Sequence, residues 1–348
     1  MKKGLVERLK DDHVVLCGEG YVFELERRGY VRAGDFVPEV VLEFPDAVKE
    51  LHREFLRAGA DVILALTYYA HRDKLKLIDR ESDLEEINRM AIRQAHDVAR
   101  EGDALVAGNL CNTWVYDPSN SKETEKAVRA MYEEQTQWAV DEAVDFIVAE
   151  TLNYMREAEI ALEVIKSAGL PSVINFNPFQ TKTGDGFEFH DACRRLGDMG
   201  ATVVGLNCGC GPHTMLPALE QITSNVDCHV SALPVAYATD DEHRSFLTLR
   251  KPGRRHGFPI ELESFLLTRY EMADFAVRAR NTGARYIGIC CGGAPHHLRA
   301  MAEALGRTTP ASRYSPDLSR HAIFGDDGAV KSFEKSRFSR ERTQFQTE

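Results

Sequence analysis

Two short stretches of the chain gather thiols. One reads Gly205-Leu206-Asn207-Cys208 with Cys210 two residues on; the other reads Gly288-Ile289-Cys290-Cys291-Gly292-Gly293. Eight cysteines in 348 residues are too sparse for a disulfide scaffold. Clustered thiols point instead to metal binding or catalysis. Three thiolates suit Zn²⁺, a borderline-soft ion that accepts tetrahedral sulfur. With Cys208, Cys290 and Cys291 as ligands, one coordination position stays open, as in catalytic sites. A thiol bound there loses its proton and becomes a nucleophile at neutral pH. Other readings remain open on these residues alone. Cys210 could close a four-sulfur structural site, the thiols could be inert core residues, or Cys290 and Cys291 could be a redox pair, although neighbouring cysteines bridge only with strain. Cys17, Cys111, Cys193 and Cys228 stand alone and read as small buried residues.

The elements that must position these thiols are legible as apolar runs. They cover 13–20, 61–70, 104–110, 145–152, 171–176, 201–208, 228–237 and 285–292. Each is short, rich in Val, Ile or Leu and nearly continuous, which fits strands buried on both faces of a parallel sheet. Amphipathic stretches alternate with them at 45–60, 83–102, 121–144, 153–169, 189–200, 213–225, 263–283 and 294–307. Pro45 opens the first of these and Gly59 closes it, while Asn153 reads as the cap of the fourth. Eight strand–helix units predict a (β/α)₈ TIM barrel over 1–307, with a C-terminal extension over 308–348. No G-x-G-x-x-G follows the first strand, which removes the main support for a dinucleotide fold. Residues 238–262 form a long insertion after strand seven.

Barrel enzymes react at the C-terminal ends of their strands. Those ends read Glu19, Thr67-Tyr68-Tyr69, Asn109, Glu150-Thr151, Asn175 to Asn177, Asn207-Cys208, Tyr237 and Cys290-Cys291. Consecutive strand residues face opposite ways. Cys290 and Cys291 therefore reach one ion only if the strand bends or ends there, and Gly288, Gly292 and Gly293 permit that. A formal net charge of −11, with no basic patch, argues against nucleic-acid binding. No apolar run is long enough to span a membrane. The start, MKKGLVERLKDDHVVLCGEG, lacks a signal-peptide core, so a cytoplasmic protein is expected.

Much of the chain, about residues 4–307, resembles the zinc-dependent homocysteine S-methyltransferases, and within them the betaine branch. The resemblance is carried by ERRGYVRAG (26–34), HREFLRAGADV (52–62), TYYAHRDKL (67–75), EGDALVAGN (101–109), VDFIVAE (144–150), GLNC (205–208) and RYIGICCGGAPHHLRAMAE (285–303). It implies transfer of a methyl group from a betaine-like quaternary ammonium or sulfonium donor to the thiol of homocysteine, giving methionine. It maps the zinc ligands onto Cys208, Cys290 and Cys291, leaving Cys210 out. It implies that Glu150, with Glu19 where the branch has Asp, holds the amino group of homocysteine. Gly20 and Asn207 fall at substrate-binding positions. Phe36, Tyr68, Tyr69 and Thr151 occupy the positions of the donor's aromatic cage, with Phe36 replacing Trp and Thr151 replacing Tyr. Ala65 stands where the branch has Thr. The expected partners are a small-molecule methyl donor and a thiol acceptor, and a homo-oligomer is expected.

Overall fold

The computed structural model describes residues 2–10, 13–251, 253 and 257–320. The eight apolar runs form eight strands: β1 Val15–Gly18, β2 Val62–Leu64, β3 Leu105–Cys111, β4 Phe146–Leu152, β5 Ser172–Phe176, β6 Val203–Asn207, β7 His229–Leu233 and β8 Tyr286–Ile289. Apart from His229, every strand residue is buried, which explains why the runs lack polar alternation. Each strand pairs in parallel with the next, and β1 pairs with β8 from Val15 opposite Tyr286 to Gly18 opposite Ile289. The sheet is therefore a closed barrel with helices between its strands, the expected (β/α)₈ architecture.

The helices are α1 Leu5–Lys10, α2 Tyr21–Arg27, α3 Val40–Glu43, α4 Pro45–Ala58, α5 Arg72–Leu75 and α6 Leu84–Ala99, followed by α7 Ser121–Asp141, α8 Met155–Ser167, α9 Phe189–Asp198, α10 Pro212–Thr223, α11 Arg269–Thr282 and α12 Pro295–Ala304. One helix per strand was too simple: β1 is followed by α2, α3 and α4, and β2 by α5 and α6. Proline at the first position opens α4, α10 and α12, where its missing N–H costs nothing. Gly59 ends α4 in the left-handed region, at φ 107°. The expected Asn153 cap on α8 is replaced by Tyr154, whose side chain makes no capping bond. Asp185, from the loop after β5, accepts from the backbone N–H of Met155 at 3.0 Å and of Arg156 at 3.4 Å instead.

Side chains also close the strand starts at the barrel's N-terminal end. Asp61 accepts from the backbone N–H of Leu16 at 2.7 Å and pairs with Arg307 at 2.6 Å. Asp145 accepts from the backbone N–H of Val106 at 2.7 Å. At the other end, β7 stops at Leu233, so Tyr237 is not a strand-end residue; it forms an isolated bridge with Leu266.

The chain divides into two units, Met1–Pro310 and Ala311–Glu348. Of the expected extension over 308–348, residues 321–348 lie outside the described residues. Among the described residues, no helix is long and apolar enough to cross a membrane.

Candidate active site

A cavity of about 280 Å³ opens at the C-terminal end of the strands. Its lining includes Glu19, Gly20, Phe36, Tyr68, Tyr69, Glu150, Thr151, Cys208, Cys290 and Cys291. The residues to which the sequence assigned a role thus converge on one chamber, with Asn207 as the exception, while the strand-end residues Thr67, Asn175 and Tyr237 are buried outside its lining. Asn207 is fully buried behind the acids and does not line it.

Backbone turns aim the three thiols. β6 ends at Asn207, and Cys208 then takes a left-handed conformation at φ 59°. β8 ends at Ile289, which frees Cys290 and Cys291 from strand alternation. Gly292, at φ 77°, completes that turn where an added Cβ would lie 2.5 Å from the Tyr237 ring. Gly20 is required by close approach, since a Cβ there would stand 2.4 Å from the carbonyl oxygen of Gly293. The sulfurs of Cys208, Cys290 and Cys291 all lie within 4.8 Å of one another, and Cys208 and Cys291 are 3.6 Å apart. Two sulfurs bound at about 2.3 Å to one tetrahedral ion stand about 3.8 Å apart, so the trio has the dimensions of a zinc-type site. Cys210 is buried and outside the group, and burial pushes its thiol up to about 12. Hydrogen bonding from Cys290, then Cys291, holds Cys208 well below the ordinary thiol range, and the same bonding to Cys208 raises the other two.

Beside the sulfurs sit two buried carboxylates. Glu19, Glu150 and Cys290 also have ligand atoms within 4.8 Å of one another. The amide of Asn207 donates to Glu150 at 2.6 Å and reaches Glu19 at 3.5 Å, while its oxygen accepts from the backbone N–H of Thr151 at 2.7 Å. Asn109 donates to the other oxygen of Glu150. Burial raises both acids, Glu150 to about 7 against the opposing pull of Asn109, and the Glu150 charge raises Glu19 further. Neither acid has an ion pair among the described residues. Two buried carboxylates held by amides form a natural seat for an ammonium group, whose arrival would favour their ionised forms.

Aromatic rings wall the rest. Tyr68 and Tyr69 have centroids 4.2 Å apart, and Phe36 stacks on Phe23 at 5.2 Å. Thr151 contributes no ring, but Trp114, in the loop after β3, lies 6.4 Å from Tyr69. Phe246 and Phe258, from the insertion after β7, line the same cavity, as does Lys74 from α5. The sequence reading missed Trp114, Lys74, Phe246 and Phe258. The only signal for Trp114 was its place in Cys-Asn-Thr-Trp, directly after a strand that runs to Cys111. Of the seven non-glycine residues with positive φ among those described, five line this chamber: Phe36, Tyr69, Trp114, Thr151 and Cys208. A β-branched residue such as Thr151 at φ 59° is a true outlier, and such strain concentrates at functional sites.

Comparison with known proteins agrees with this geometry. The homocysteine S-methyltransferase family model matches residues 14–305. Betaine–homocysteine S-methyltransferase 1 of Xenopus tropicalis is 38% identical over 314 residues, covering 87% of this chain and 76% of the relative. The S-methylmethionine–homocysteine S-methyltransferase of Pongo abelii is 35% identical over 354 residues, covering 98% of this chain and 92% of the relative. The crystal structure of the homocysteine methyltransferase MmuM from Escherichia coli, in its metallated form, superposes with a TM-score of 0.68 at 19% identity, covering 85% of this chain and 97% of that one, and supports the fold. The chain belongs to the homocysteine S-methyltransferase family.

Proposed function

We propose that this enzyme transfers a methyl group from a betaine-like onium compound to the thiol of homocysteine, using zinc held by Cys208, Cys290 and Cys291. The observation that carries the reading is the meeting, in one cavity, of three sulfurs, two cation-free carboxylates and a wall of aromatic rings. Zinc held by the trio supplies Lewis acidity that keeps an acceptor thiol ionised at neutral pH.

The chain's own residues do the positioning. Glu150 and Glu19 hold the acceptor's ammonium group, and Asn207 and Asn109 fix the orientation of Glu150. Tyr68, Tyr69 and Phe36 present ring faces to the donor, whose positive charge is attracted by their quadrupoles. Trp114 supplies the ring that Thr151 lacks. Gly20 lets the chain after β1 pack directly against the turn that carries Cys290 and Cys291. The acceptor sulfur forms its bond to the methyl carbon as the bond to the donor nitrogen or sulfur breaks, and a neutral amine or sulfide leaves. The catalytic gain comes mainly from orientation and from an activated nucleophile.

Purified protein should contain about one zinc per chain, as a single open site demands, and should form methionine from homocysteine with at least one quaternary ammonium or sulfonium donor. Cys290→Ala should lose both metal and turnover. Full activity in metal-stripped protein would overturn the zinc assignment, and no methionine from any donor of either class would overturn the reaction.

A further inference from the structure

We propose that Tyr237, locked by Arg27, is a positioning residue for the metal centre: from outside the chamber it holds the two thiol-bearing turns at the spacing that one ion requires. The inference rests on the reading of Cys208, Cys290 and Cys291 as metal ligands. Tyr237 is fully buried and does not line the chamber. It lies in the segment after β7, which runs between the two turns. On one side, the backbone N–H of Cys208 donates to the carbonyl of Leu233 at 2.9 Å, and that of Val235 to the carbonyl of Cys210 at 3.1 Å. On the other, the N–H of Cys290 donates to the carbonyl of Pro234 at 2.9 Å, and that of Ala236 to the carbonyl of Cys291 at 3.0 Å. Residues 233–236 thus bond both turns in register, as a central strand bonds its two neighbours.

Tyr237 closes this arrangement. Its ring lies against Gly292, where an added Cβ would stand 2.5 Å from it, and its carbonyl oxygen lies against Gly211, where a Cβ would stand 2.1 Å away. Both contacts need glycine, so each turn is seated directly on Tyr237. The ring stacks on Phe246, with centroids 5.8 Å apart and planes 11° from parallel. Its hydroxyl accepts from Arg27 at 2.8 Å, and Arg27 is held in turn by Glu24 at 3.0 Å. Arg27 ends α2, the helix that starts directly after Glu19 and Gly20. At that start Gly20 packs on Gly293, so α2 grips the Cys290-Cys291 turn from both of its ends. The spacing of the sulfurs is thus set by contacts that involve no sulfur. A centre organised in this way gives up less conformational freedom when it takes its ligand. The gain is expressed chiefly as slower release.

The test uses Tyr237→Phe, which keeps the ring and removes the hydroxyl, Arg27→Met, which removes its partner, and the double variant. Zinc release from each loaded enzyme is followed with a chromogenic chelator. Arsenite, which binds three thiols at once, is titrated calorimetrically into each metal-free enzyme. Tyr237→Phe should release zinc about tenfold faster than wild type and bind arsenite about tenfold more weakly, the scale of one lost hydrogen bond to a charged group. The double variant should match Arg27→Met, because the hydroxyl then has no partner left to lose. A merely structural role would lower the urea midpoint of the metal-free protein and leave both metal readouts alone. Wild-type zinc release and arsenite affinity in Tyr237→Phe would therefore overturn the brace, and so would effects of the two substitutions that multiply. The metal reading is judged apart. A wild type that takes up arsenite but no zinc sinks the zinc assignment, and the brace then stands or falls on the arsenite affinities. Zinc and arsenite held equally by all variants sink the brace alone, and a wild type that binds neither sinks both.

Discussion

At the scale of single residues, the chemistry of this chain is written in side chains whose surroundings oppose their charge. Glu150 is buried, raised to about 7, and held by two amide donors but, among the described residues, by no cation. In the proposed reaction the acceptor's ammonium group is its partner. Glu150→Gln keeps the shape and removes the charge, so it should weaken homocysteine binding by about 2–3 kcal/mol, roughly 30- to 150-fold in the acceptor's KM. Steady-state titration of homocysteine at saturating donor checks this, and an unchanged KM would remove Glu150 from the acceptor site. The thiols and both acids were legible in the sequence because they stand at the ends of apolar runs, where barrel enzymes keep their reactive groups. Trp114 and Lys74 were not. One sits in an irregular loop at φ 62° and the other on a helix of four residues, and neither setting leaves a periodic trace. Asn207 was legible as a site residue, yet its place behind the acids came only from the hydrogen bonds.

At the scale of elements, the strands were readable because burial on both faces removes polar residues from them. Their ends were less so: β3 continues one residue beyond the run, to Cys111, and β7 stops before Tyr237. The short helices α2, α3 and α5 escaped notice because one or two turns do not establish a helical period. The cap of α8 comes from Asp185, thirty residues from Met155, so no local pattern could reveal it. Distant side chains act similarly at the strand starts. Asp61 ties β1, β2 and Arg307 together at the end of the barrel opposite the chemistry. Asp61→Ala should cost about 1.5–3 kcal/mol, the range for hydrogen bonds to a charged group, while sparing the KM values of both substrates. Urea unfolding measures the first and steady-state kinetics the second; unchanged stability would show that water replaces the carboxylate.

At the scale of the whole molecule, burial of neutral histidines ties stability to pH. Burial alone holds His52 down to about 3, and His71 and His297 are lowered to about 4, chiefly by burial as well. The unfolded chain, with ordinary imidazoles, binds more protons than the native one between about pH 4 and 6.5, so stability falls on acidification through that window. At pH 5 each such histidine costs about 2 kcal/mol. Unfolding free energies at pH 7 and pH 5 should therefore differ by several kcal/mol. His52→Leu, which removes a ring whose two nitrogens have no partner, should reduce the difference by its own share. A pH response identical to wild type would show that His52 takes up its proton without unfolding. Eight strand–helix units were countable along the sequence and predicted the closed barrel; the register of β1 against β8 that closes it was not legible there.

That closure has a consequence for the order in which the protein comes into being. Cys208 emerges with β6, but Cys290 and Cys291 arrive only behind β8, and Gly20, made well before any of them, must wait for Gly293 to pack against it. A nascent or truncated polypeptide ending before Tyr286 owns one sulfur of the trio and half of the seam beneath it. The binding centre thus cannot precede the finished barrel, and the clustering of its thiols reports that the last strand has found the first.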